Sequence, residues 1–391
     1  MKKITVLGNF SGRNAGDAAI LGCLLEDISS RYSDIRFDVP TINTKFVRES
    51  YRHYNVRPIS LLPWTLSVKI FGVPTFRSIM NADLVLVTDA ILFDRKLYNP
   101  LFNYLWTLSV ALPGANKKGI PIVLYNSSLG PITRPAGHKA LQRVVDSADI
   151  VILRDKESLE LLRKENISHP NINEGADCAL NARASDDDRF LQICRNEGLF
   201  ESQKPVVGFN VNSYVDAFVR EDGQTFGREN LVSIYAETVD RVIRRHDVDV
   251  IFVETQHMDM GIANEVLAKI KEKDRIRLIS NKKYSYQDIC AVLLRLELFV
   301  GMRTHSLILS SAMGVPPVGI VTYPKNRGYM RTIGMENNLI EFRDLSTDSF
   351  FEKISAAFEN RRIAREEMLP RVQAQKQKAA KSADLLKNYL S

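Results

Sequence analysis

The residues with the clearest capacity for chemistry lie late in the chain, just after an apolar stretch. Residues 298–306 read Leu-Phe-Val-Gly-Met-Arg-Thr-His-Ser, which predicts a buried strand ending at Gly301 and a helix soon afterwards. Doubly wound sheets bind ligands where a strand end meets a helix N-terminus, and the helix dipole favours an anion there. Arg303 and His305 therefore predict an anion clamp beside a proton donor. The structural alternative is that Arg303 pairs with a carboxylate and His305 caps the helix.

A second candidate segment lies near the N-terminus, where a short apolar strand leads into a loop with glycines at positions 8, 12 and 16. This spacing fits neither the GxGxxG nor the Walker pattern. Because glycines let a backbone approach a ligand closely, the loop with Asn14, Gly16 and Asp17 is a weak candidate for phosphate or sugar contact. The alternative for Asp17 is a plain helix N-cap.

Strand and helix patterns alternate along both halves of the chain. Such alternation predicts parallel sheets covered by helices, and 391 residues suit two domains. We therefore predict an α/β protein with two doubly wound parallel-sheet domains facing a cleft, the GT-B-like architecture. The predicted segments are a first domain over residues 1–180, a polar linker over 181–205, a second domain over 206–345 and basic C-terminal helices over 346–391.

Three shorter regions carry predictions of their own. The acidic triplet at 186–188 fits a D-x-D metal pattern, but acids are expected at a helix start, so we predict a solvated cap and no metal. The segment from Tyr323 to Arg327, which contains Lys325, is predicted to be a loop. Residues 359–390 are predicted to be helical, interrupted at Pro370 and without a core-sized apolar face.

The composition, with 45% hydrophobic and 25% charged residues, is that of a soluble globular protein. No stretch approaches the roughly 20 apolar residues of a membrane span, and the start lacks the features of a signal peptide. The four cysteines are widely spaced without a CxxC pair, which predicts reduced, mostly buried thiols and a cytoplasmic protein. No cofactor is expected.

The net charge of +7 is unevenly distributed. Residues 41–80 hold six basic side chains and one acidic one, and residues 361–391 hold eight basic and three acidic ones. Nucleic acid is not expected, because no nucleic-acid module is recognisable; an anionic membrane face or a polyphosphate-linked substrate fits better. The apolar stretch around Trp64 and Phe71, within residues 51–80, has two interpretations. Packing on its own domain is slightly favoured over contact with a membrane surface.

Several segments resemble motifs of the polysaccharide pyruvyl transferase family, in the family's order over roughly residues 3–330. The N-terminal loop is similar to N-x-G-D-x-A-I, residues 154–158 to R-D-x-x-S, and Ala176-Asp177 to the A-D that closes the first domain. Residues 256–259 resemble Q-H-x-x-D and residues 301–306 resemble G-M-R-x-H-S. The chain departs from the family at Thr88-Asp89-Ala90, where a glycine triplet is common.

The resemblance implies transfer of the pyruvyl unit of phosphoenolpyruvate to two hydroxyls of a sugar, with ketal formation and phosphate release, in cell-surface polysaccharide synthesis. It implies an acceptor side in the first domain and a donor site in the second. His305 would be the general acid, and Asp17 would orient or deprotonate an acceptor hydroxyl. Substrate binding would fall to Arg303, Ser306, Lys325, Asn14, Gly16, Arg154, His257, Asp259 and Asn210.

The sequence is also compatible with two other functions. A nucleotide-sugar glycosyltransferase of the same architecture would bind a diphosphate at the second-domain loop, and a non-catalytic sugar-binding homologue would keep the fold without turnover. The basic and apolar stretches are compatible with an acceptor linked to polyprenyl diphosphate at the inner face of the cell membrane. The residues 51–80 and 361–391 would then provide peripheral membrane contact.

Overall fold

The computed structural model describes residues 1–61, 72–97, 104–213, 227–322 and 324–391. The chain divides into two compact units. The first consists of Met1–Gly12, Ile20–Asn181 and Gln375–Ser391, and the second of Arg13–Ala19 and Ala182–Ala374. This division differs from the predicted segments at several places, since residues 182–205 and 346–374 group with the second unit. Residues 13–19 group with the second unit, and residues 375–391 group with the first.

The first unit contains a parallel sheet with seven strands among the described residues, in the order β3-β2-β1-β4-β5-β6-β7. The chain moves outward from β1 to β3 and then crosses to β4, as in a doubly wound sheet. The strands are β1 (Lys2–Leu7), β2 (Ile35–Thr41), β3 (Val56–Ser60), β4 (Leu84–Val87), β5 (Ile122–Ser127), β6 (Ile150–Leu153) and β7 (Ile172–Glu174). The helices of this half are α1 (Ala15–Ser29), α2 (Thr44–Ser50), α3 (Val73–Met80), α4 (Leu105–Lys117), α5 (Pro135–Asp146) and α6 (Lys156–Lys164).

The second unit contains a parallel sheet whose described strands follow the order β10-β9-β8-β11-β12-β13. Its strands are β8 (Val206–Phe209), β9 (Asp249–Glu254), β10 (Ile276–Ser280), β11 (Leu298–Gly301), β12 (Pro317–Val321) and β13 (Leu339–Glu341). The helices are α7 (Asp187–Glu197), α8 (Arg228–His246), α9 (Met260–Lys269), α10 (Tyr286–Leu293), α11 (Thr304–Ala312), α12 (Pro324–Thr332) and α13 (Thr347–Glu359). Helix α14 (Arg361–Lys381) begins in the second unit and ends in the first, which also contains α15 (Lys387–Leu390). The predicted α/β class with two doubly wound parallel sheets is confirmed.

The segment from β11 to α11 forms as the sequence predicts. The side chains of β11 are completely buried because the strand lies between β8 and β12. Helix α11 ends at Ala312, and Gly314 follows with a φ of +77°, the left-handed conformation that favours glycine after a helix.

The predicted linker contains the helix start that its acidic triplet indicated. Helix α7 has Asp186 as its N-cap, and the Arg189 guanidinium donates two hydrogen bonds to Asp288, at 3.1 and 3.0 Å. Two other local predictions are wrong. The predicted loop after position 323 is helix α12. Pro370 does not interrupt the C-terminal helix, because α14 continues through it and buries Met368 and Val372 on either side.

Other features bear on the surroundings of the protein. All four cysteines carry free thiols, and only Cys194 is partly exposed. In the part of the chain that the structure describes, no helix is both long and apolar enough to cross a membrane. Trp64 and Phe71 lie outside the described residues, so both interpretations of this stretch stay predictions. The described elements on either side of it are β3 and α3.

Candidate functional site

The candidate site lies at one edge of the second-unit sheet, where several parallel strands end side by side. Strand β8 lies between β9 and β11, so the segments that follow these three strands are neighbours. They carry Asn210 after β8, His257 and Asp259 after β9, and Arg303 and His305 after β11. Carboxyl ends of parallel strands are the usual ligand-binding edge of such sheets.

Arg303 is held by a buried carboxylate. Its Nε and Nη2 donate to Oδ2 and Oδ1 of Asp259, both at 2.7 Å. The Asp259 side chain is 0% exposed and the Arg303 side chain 17%. Asp259 also accepts hydrogen bonds from the backbone N–H and the hydroxyl of Ser213, at 2.9 and 2.8 Å. Pairing with a carboxylate, the structural alternative for Arg303, is therefore present in the molecule.

This pairing fixes the direction of the guanidinium. A guanidinium has five N–H groups, and the edge that faces Asp259 carries Nε–H and one N–H of Nη2. The Nη1/Nη2 edge of Arg303 is a different edge and is the one a second anion would use. Asp259, which the sequence assigns to substrate binding, is completely buried, so its observed contribution is to orient Arg303.

Replacing Asp259 tests this orientation. Asp259→Ala removes a buried partner of a charged side chain and is expected to lower the free energy of unfolding by about 3 kcal/mol, measured by urea denaturation. The matched control is Asp348→Ala, which removes the pair with Arg241; there the Asp348 side chain is 81% exposed. The control should cost under about 1 kcal/mol. Equal losses of unfolding free energy in the two variants would show that the Arg303–Asp259 pair stabilises the fold no more than an exposed ion pair does.

His305 stands beside the N-terminal loop rather than capping its own helix. Arg303 is the N-cap of α11, and His305 is the second residue of the helix, 14% exposed. The Nδ1 atom of His305 is 3.9 Å from Oδ1 of Asp17. That distance is too long for a hydrogen bond, and it places the imidazole and the carboxylate side by side.

Gly16 makes this approach possible. A Cβ atom built on Gly16 would lie 2.2 Å from Cγ and 2.3 Å from Cβ of His305. Any side chain at position 16 would therefore displace the whole His305 side chain, including its attachment to the helix. The close backbone approach that the sequence predicts for this glycine is to a protein side chain.

The N-terminal loop is tied to the second-unit sheet by backbone hydrogen bonds. The Ala15 N–H donates to the Thr255 carbonyl at 2.8 Å, and the His257 N–H donates to the Arg13 carbonyl at 3.0 Å. The Asn14 side chain accepts the Gly16 N–H at 2.8 Å, so Asn14 rather than Asp17 supplies the cap at the start of α1. Asp17 lies in the first turn of that helix.

Two predicted substrate-binding residues lie beneath the site surface. Ser306 and Asn210 are both 0% exposed. The Ser306 hydroxyl donates to the Arg303 carbonyl at 2.7 Å, and the Asn210 amide donates to the Val253 carbonyl at 3.1 Å. These contacts hold the start of α11 and the end of β8, so the observed role of both residues is to position the surface above them.

Glu254, the last residue of β9, was not singled out from the sequence. It is completely buried and accepts a hydrogen bond from the Asn210 amide at 3.1 Å. Burial raises the pKa of Glu254 well above its ordinary value, and the nearby charge of Asp259 raises it further. The protonated form is therefore favoured. The sequence gives no signal that distinguishes a buried acidic residue at the end of an apolar strand from an exposed acidic residue at the same position.

His257 is half-buried among cations. Burial lowers its pKa below the ordinary 6.5, and Arg13 and Lys282 lower it further, while a contact between Nε2 and the Asn281 carbonyl, at 3.4 Å, acts in the opposite direction. The ring is therefore mainly neutral at pH 7. It would serve a ligand as a neutral hydrogen-bonding group rather than as a cation.

This pKa shift has a measurable consequence. In NMR titrations the His257 ring should titrate below pH 6.5, and Lys282→Ala should move its midpoint upward because one neighbouring cation is gone. Lys283→Ala is the matched control, since the Lys283 ammonium contacts Glu197 instead. A midpoint at or above 6.5 in the unmodified protein would contradict the environment described for this ring.

Helix α12 follows β12, the neighbour of β11 on the side opposite β8, so it begins at the same edge of the sheet. Lys325 lies in its first turn and is half-buried. Asn326, which was not singled out from the sequence, is buried. Its side-chain amide donates to the carbonyls of Met302 and Ile320, both at 2.9 Å. Its side-chain oxygen lies beside the hydroxyl of Thr304. Asn326 therefore fixes the turn that carries Arg303. Within the described ranges no cluster of three or more metal-ligating side chains is present.

The arrangement of Arg303, His305 and the N-terminal loop can be compared with known proteins. Residues 14–323 match the sequence profile of the family described as polysaccharide pyruvyl transferase. The chain belongs to the polysaccharide pyruvyl transferase family. One curated relative, the amylovoran biosynthesis protein AmsJ of Erwinia amylovora, is 21% identical over 400 residues, covering 92% of each chain. The chain is accordingly a transferase of polysaccharide biosynthesis.

Solved structures establish the fold more broadly. Anabaena Alr3699/HepE in complex with UDP-glucose superposes with a TM-score of 0.63 at 14% identity, over 100% of this chain and 99% of that one. The UDP-GlcNAc 2-epimerase of Neisseria meningitidis, bound to UDP-GlcNAc, gives 0.64 at 10% identity over 100% and 99%. Both likenesses confirm the GT-B-like class predicted for this pyruvyl transferase family member.

The departure from the family's glycine triplet lies in the first unit. Asp89 has a φ of +70°, a left-handed conformation that glycine adopts most easily and that Asp tolerates better than most residues. Its carboxylate accepts the Ala90 N–H at 2.6 Å. Arg154, 8% exposed, lies 4.0 Å from Asp89 and 2.8 Å from Asp177. A substrate-binding role for Arg154 stays a prediction; the observed contacts are with carboxylates of its own unit.

Proposed function

We propose that the protein transfers the pyruvyl group of phosphoenolpyruvate to two hydroxyls of a sugar, forming a cyclic ketal and releasing phosphate. The observation that carries this proposal is the placement of His305 at the start of α11. Its Nδ1 lies 3.9 Å from the Asp17 carboxylate, next to a guanidinium that Asp259 holds in one direction. A proton donor beside an oriented cation suits a substrate that is an anionic enol ester.

The chemistry needs a proton at the methylene carbon of phosphoenolpyruvate. His305 gives this proton, which leaves the neighbouring carbon electron-poor, and an acceptor hydroxyl adds to that carbon. Phosphate then leaves with the electrons of its C–O bond, and the second hydroxyl adds to close the ketal. The two hydroxyl protons end on the His305 imidazole and on the departing phosphate, so the acid is restored. The Asp17 carboxylate, 3.9 Å from Nδ1 of His305, would orient an acceptor hydroxyl beside the imidazole.

The other residues of the site would bind and orient. Arg303 would take the carboxylate or the phosphate through its Nη1/Nη2 edge, and the N-terminus of α11 would favour the second negative group. His257, Lys325 and Asn14 would contribute hydrogen bonds at the rim, and Gly16 would keep His305 in place. In this scheme Ser306, Asn210 and Asp259 position the groups that touch substrate.

A nucleotide-sugar glycosyltransferase is the second candidate, because the similarly folded HepE protein was solved with UDP-glucose. The two functions differ in their leaving groups. With phosphoenolpyruvate and a sugar acceptor, the first releases inorganic phosphate; with a sugar nucleotide, the second releases a nucleotide. An assay of both products with the same acceptor panel tests the proposal. Nucleotide release without phosphate release would replace it, and neither product would favour a non-catalytic sugar-binding homologue.

The acceptor would be a sugar carried on polyprenyl diphosphate, met by the protein at the inner face of the cell membrane. Exposed apolar side chains on two neighbouring helices support this location. They are 39–62% exposed: Val73 and Phe76 on α3, and Trp106 and Val110 on α4. Arg361 and Lys378 of the basic C-terminal region instead pair with Glu297 and Glu174, so the α3 and α4 surface carries the membrane proposal.

Flotation with vesicles tests this location. Vesicles that contain phosphatidylglycerol should carry the protein, and Phe76→Ser/Trp106→Ser should reduce the floated fraction severalfold, because apolar area buried in the interface is lost. The matched control is Leu191→Ser, since Leu191 is 49% exposed on α7 of the second unit. If the control loses as much as the double variant, or the original protein does not float, the membrane proposal is wrong.

A further inference from the structure

A basic pocket of about 520 Å³ opens in the first unit, between α3 and the strands β1, β2 and β3. Four cationic side chains line it: Lys3, Arg36, Arg57 and Arg77. The only acidic side chain in its lining, in the described part of the chain, is Asp38. None of these residues belongs to the candidate site described above.

The sheet register brings the cations together. Lys3 lies opposite Arg36 on neighbouring strands, and Asp38 lies opposite Arg57. Because alternate residues of a strand share a face, Arg36 and Asp38 point the same way. Helix α3 packs on this face, where the Thr5 hydroxyl donates to the Ser78 carbonyl at 3.1 Å, and Arg77 reaches the pocket from the helix.

The charges in the pocket do not balance. Asp38 is 3% exposed and already shared: Arg57 Nε donates to its Oδ1 at 2.9 Å, and Arg36 Nε lies 3.2 Å from the same oxygen. Lys3 and Arg77 form no ion pair among the residues that the structure describes. Asp83 accepts the backbone N–H of Lys3 but does not line the cavity. Four positive charges therefore face one carboxylate.

We propose that this pocket is a second anion site that binds a phosphate-bearing ligand, of the size of a diphosphate group. Guanidinium groups match phosphate oxygens in planar pairs, and an ammonium adds a mobile point charge. Like charges gathered in a cavity repel one another, and a bound anion removes that repulsion. The volume lies within the usual range for small-ligand pockets. The phosphate would belong to a soluble molecule or to a lipid headgroup.

Calorimetric titration with inorganic pyrophosphate tests the site. The variant is Lys3→Ala/Arg77→Ala, which leaves the buried Asp38 pairs intact. The charge-matched control is Lys117→Ala/Lys118→Ala, which removes two exposed cations from the end of α4. The double variant should bind pyrophosphate at least tenfold more weakly, whereas the control should bind like the original protein. If the double variant misfolds, Arg77→Ala alone should show a smaller loss in the same direction.

Vesicle flotation distinguishes a soluble phosphate ligand from a lipid headgroup. Flotation compares phosphatidylcholine vesicles with and without phosphatidic acid, using the same variants. Loss of pyrophosphate binding in the pocket variant supports the anion site itself. If the pocket variant also loses phosphatidic-acid-dependent flotation, the phosphate belongs to a lipid headgroup; if flotation does not depend on phosphatidic acid, it belongs to a soluble molecule. The proposal is overturned if the original protein binds neither, or if the pocket variant and the control bind equally well.

Discussion

His305→Ala is expected to lose about two to four orders of magnitude in kcat for pyruvyl transfer, while phosphoenolpyruvate still binds. Removal of the imidazole eliminates the proton donor but leaves the Arg303–Asp259 pair, which is built from separate hydrogen bonds at 2.7 Å. The measurement is steady-state phosphate release, together with a phosphoenolpyruvate titration followed by calorimetry.

The control for this variant is His53→Ala, because His53 is an exposed histidine of the first unit. It should retain ordinary turnover. Asp17→Asn should lie between the two, since it removes the carboxylate beside His305 without removing the acid. If His305→Ala keeps near-normal turnover, the proton must come from another group, and the assignment of His305 is wrong.

Gly16→Ala is expected to lower kcat by about 100-fold, although alanine is the better helix former and position 16 lies in the first turn of α1. The added methyl would meet Cγ of His305 at 2.2 Å, so the imidazole must leave its place beside Asp17. Since the contact is to the base of the side chain, rotation of the ring cannot relieve it.

Two comparisons make the Gly16→Ala result specific. Gly227→Ala is the control, because a Cβ there meets none of the described residues within 4 Å, and it should leave kcat unchanged. In a His305→Ala background, Gly16→Ala should have little further effect, since the side chain that it displaces is already gone. If the two substitutions instead lowered kcat by independent factors that multiply in the double variant, Gly16 would act on the reaction by another route.

The sequence predicts the local parts of the site well and the pairings poorly. The strand and helix around Arg303 are predictable because an apolar run, a glycine and a helix stop at Gly314 are all local signals. The partner of Arg303 is not predictable, since Asp259 is 44 positions away and comes into reach only because β9 and β11 flank β8. Either interpretation of Arg303 fits the sequence until that register is known.

The contact between Gly16 and His305 shows the same limit. A glycine spacing indicates that something approaches the backbone, but it does not show that the approaching group is a side chain from the other half of the chain. Pro370 shows the opposite error. The local rule predicts a break, but burial of Met368 and Val372 stabilises α14 through the proline.

The central claim is that the second unit accepts phosphoenolpyruvate as donor. Thermal unfolding of the full chain tests it most directly, with phosphoenolpyruvate compared with UDP-glucose at equal concentration. A ligand that binds the folded state at about 100 times its Kd stabilises by about 2.7 kcal/mol. We expect a higher Tm with phosphoenolpyruvate, a gain that Arg303→Ala loses, and an unchanged Tm with UDP-glucose. Stabilisation by UDP-glucose but not by phosphoenolpyruvate would contradict it.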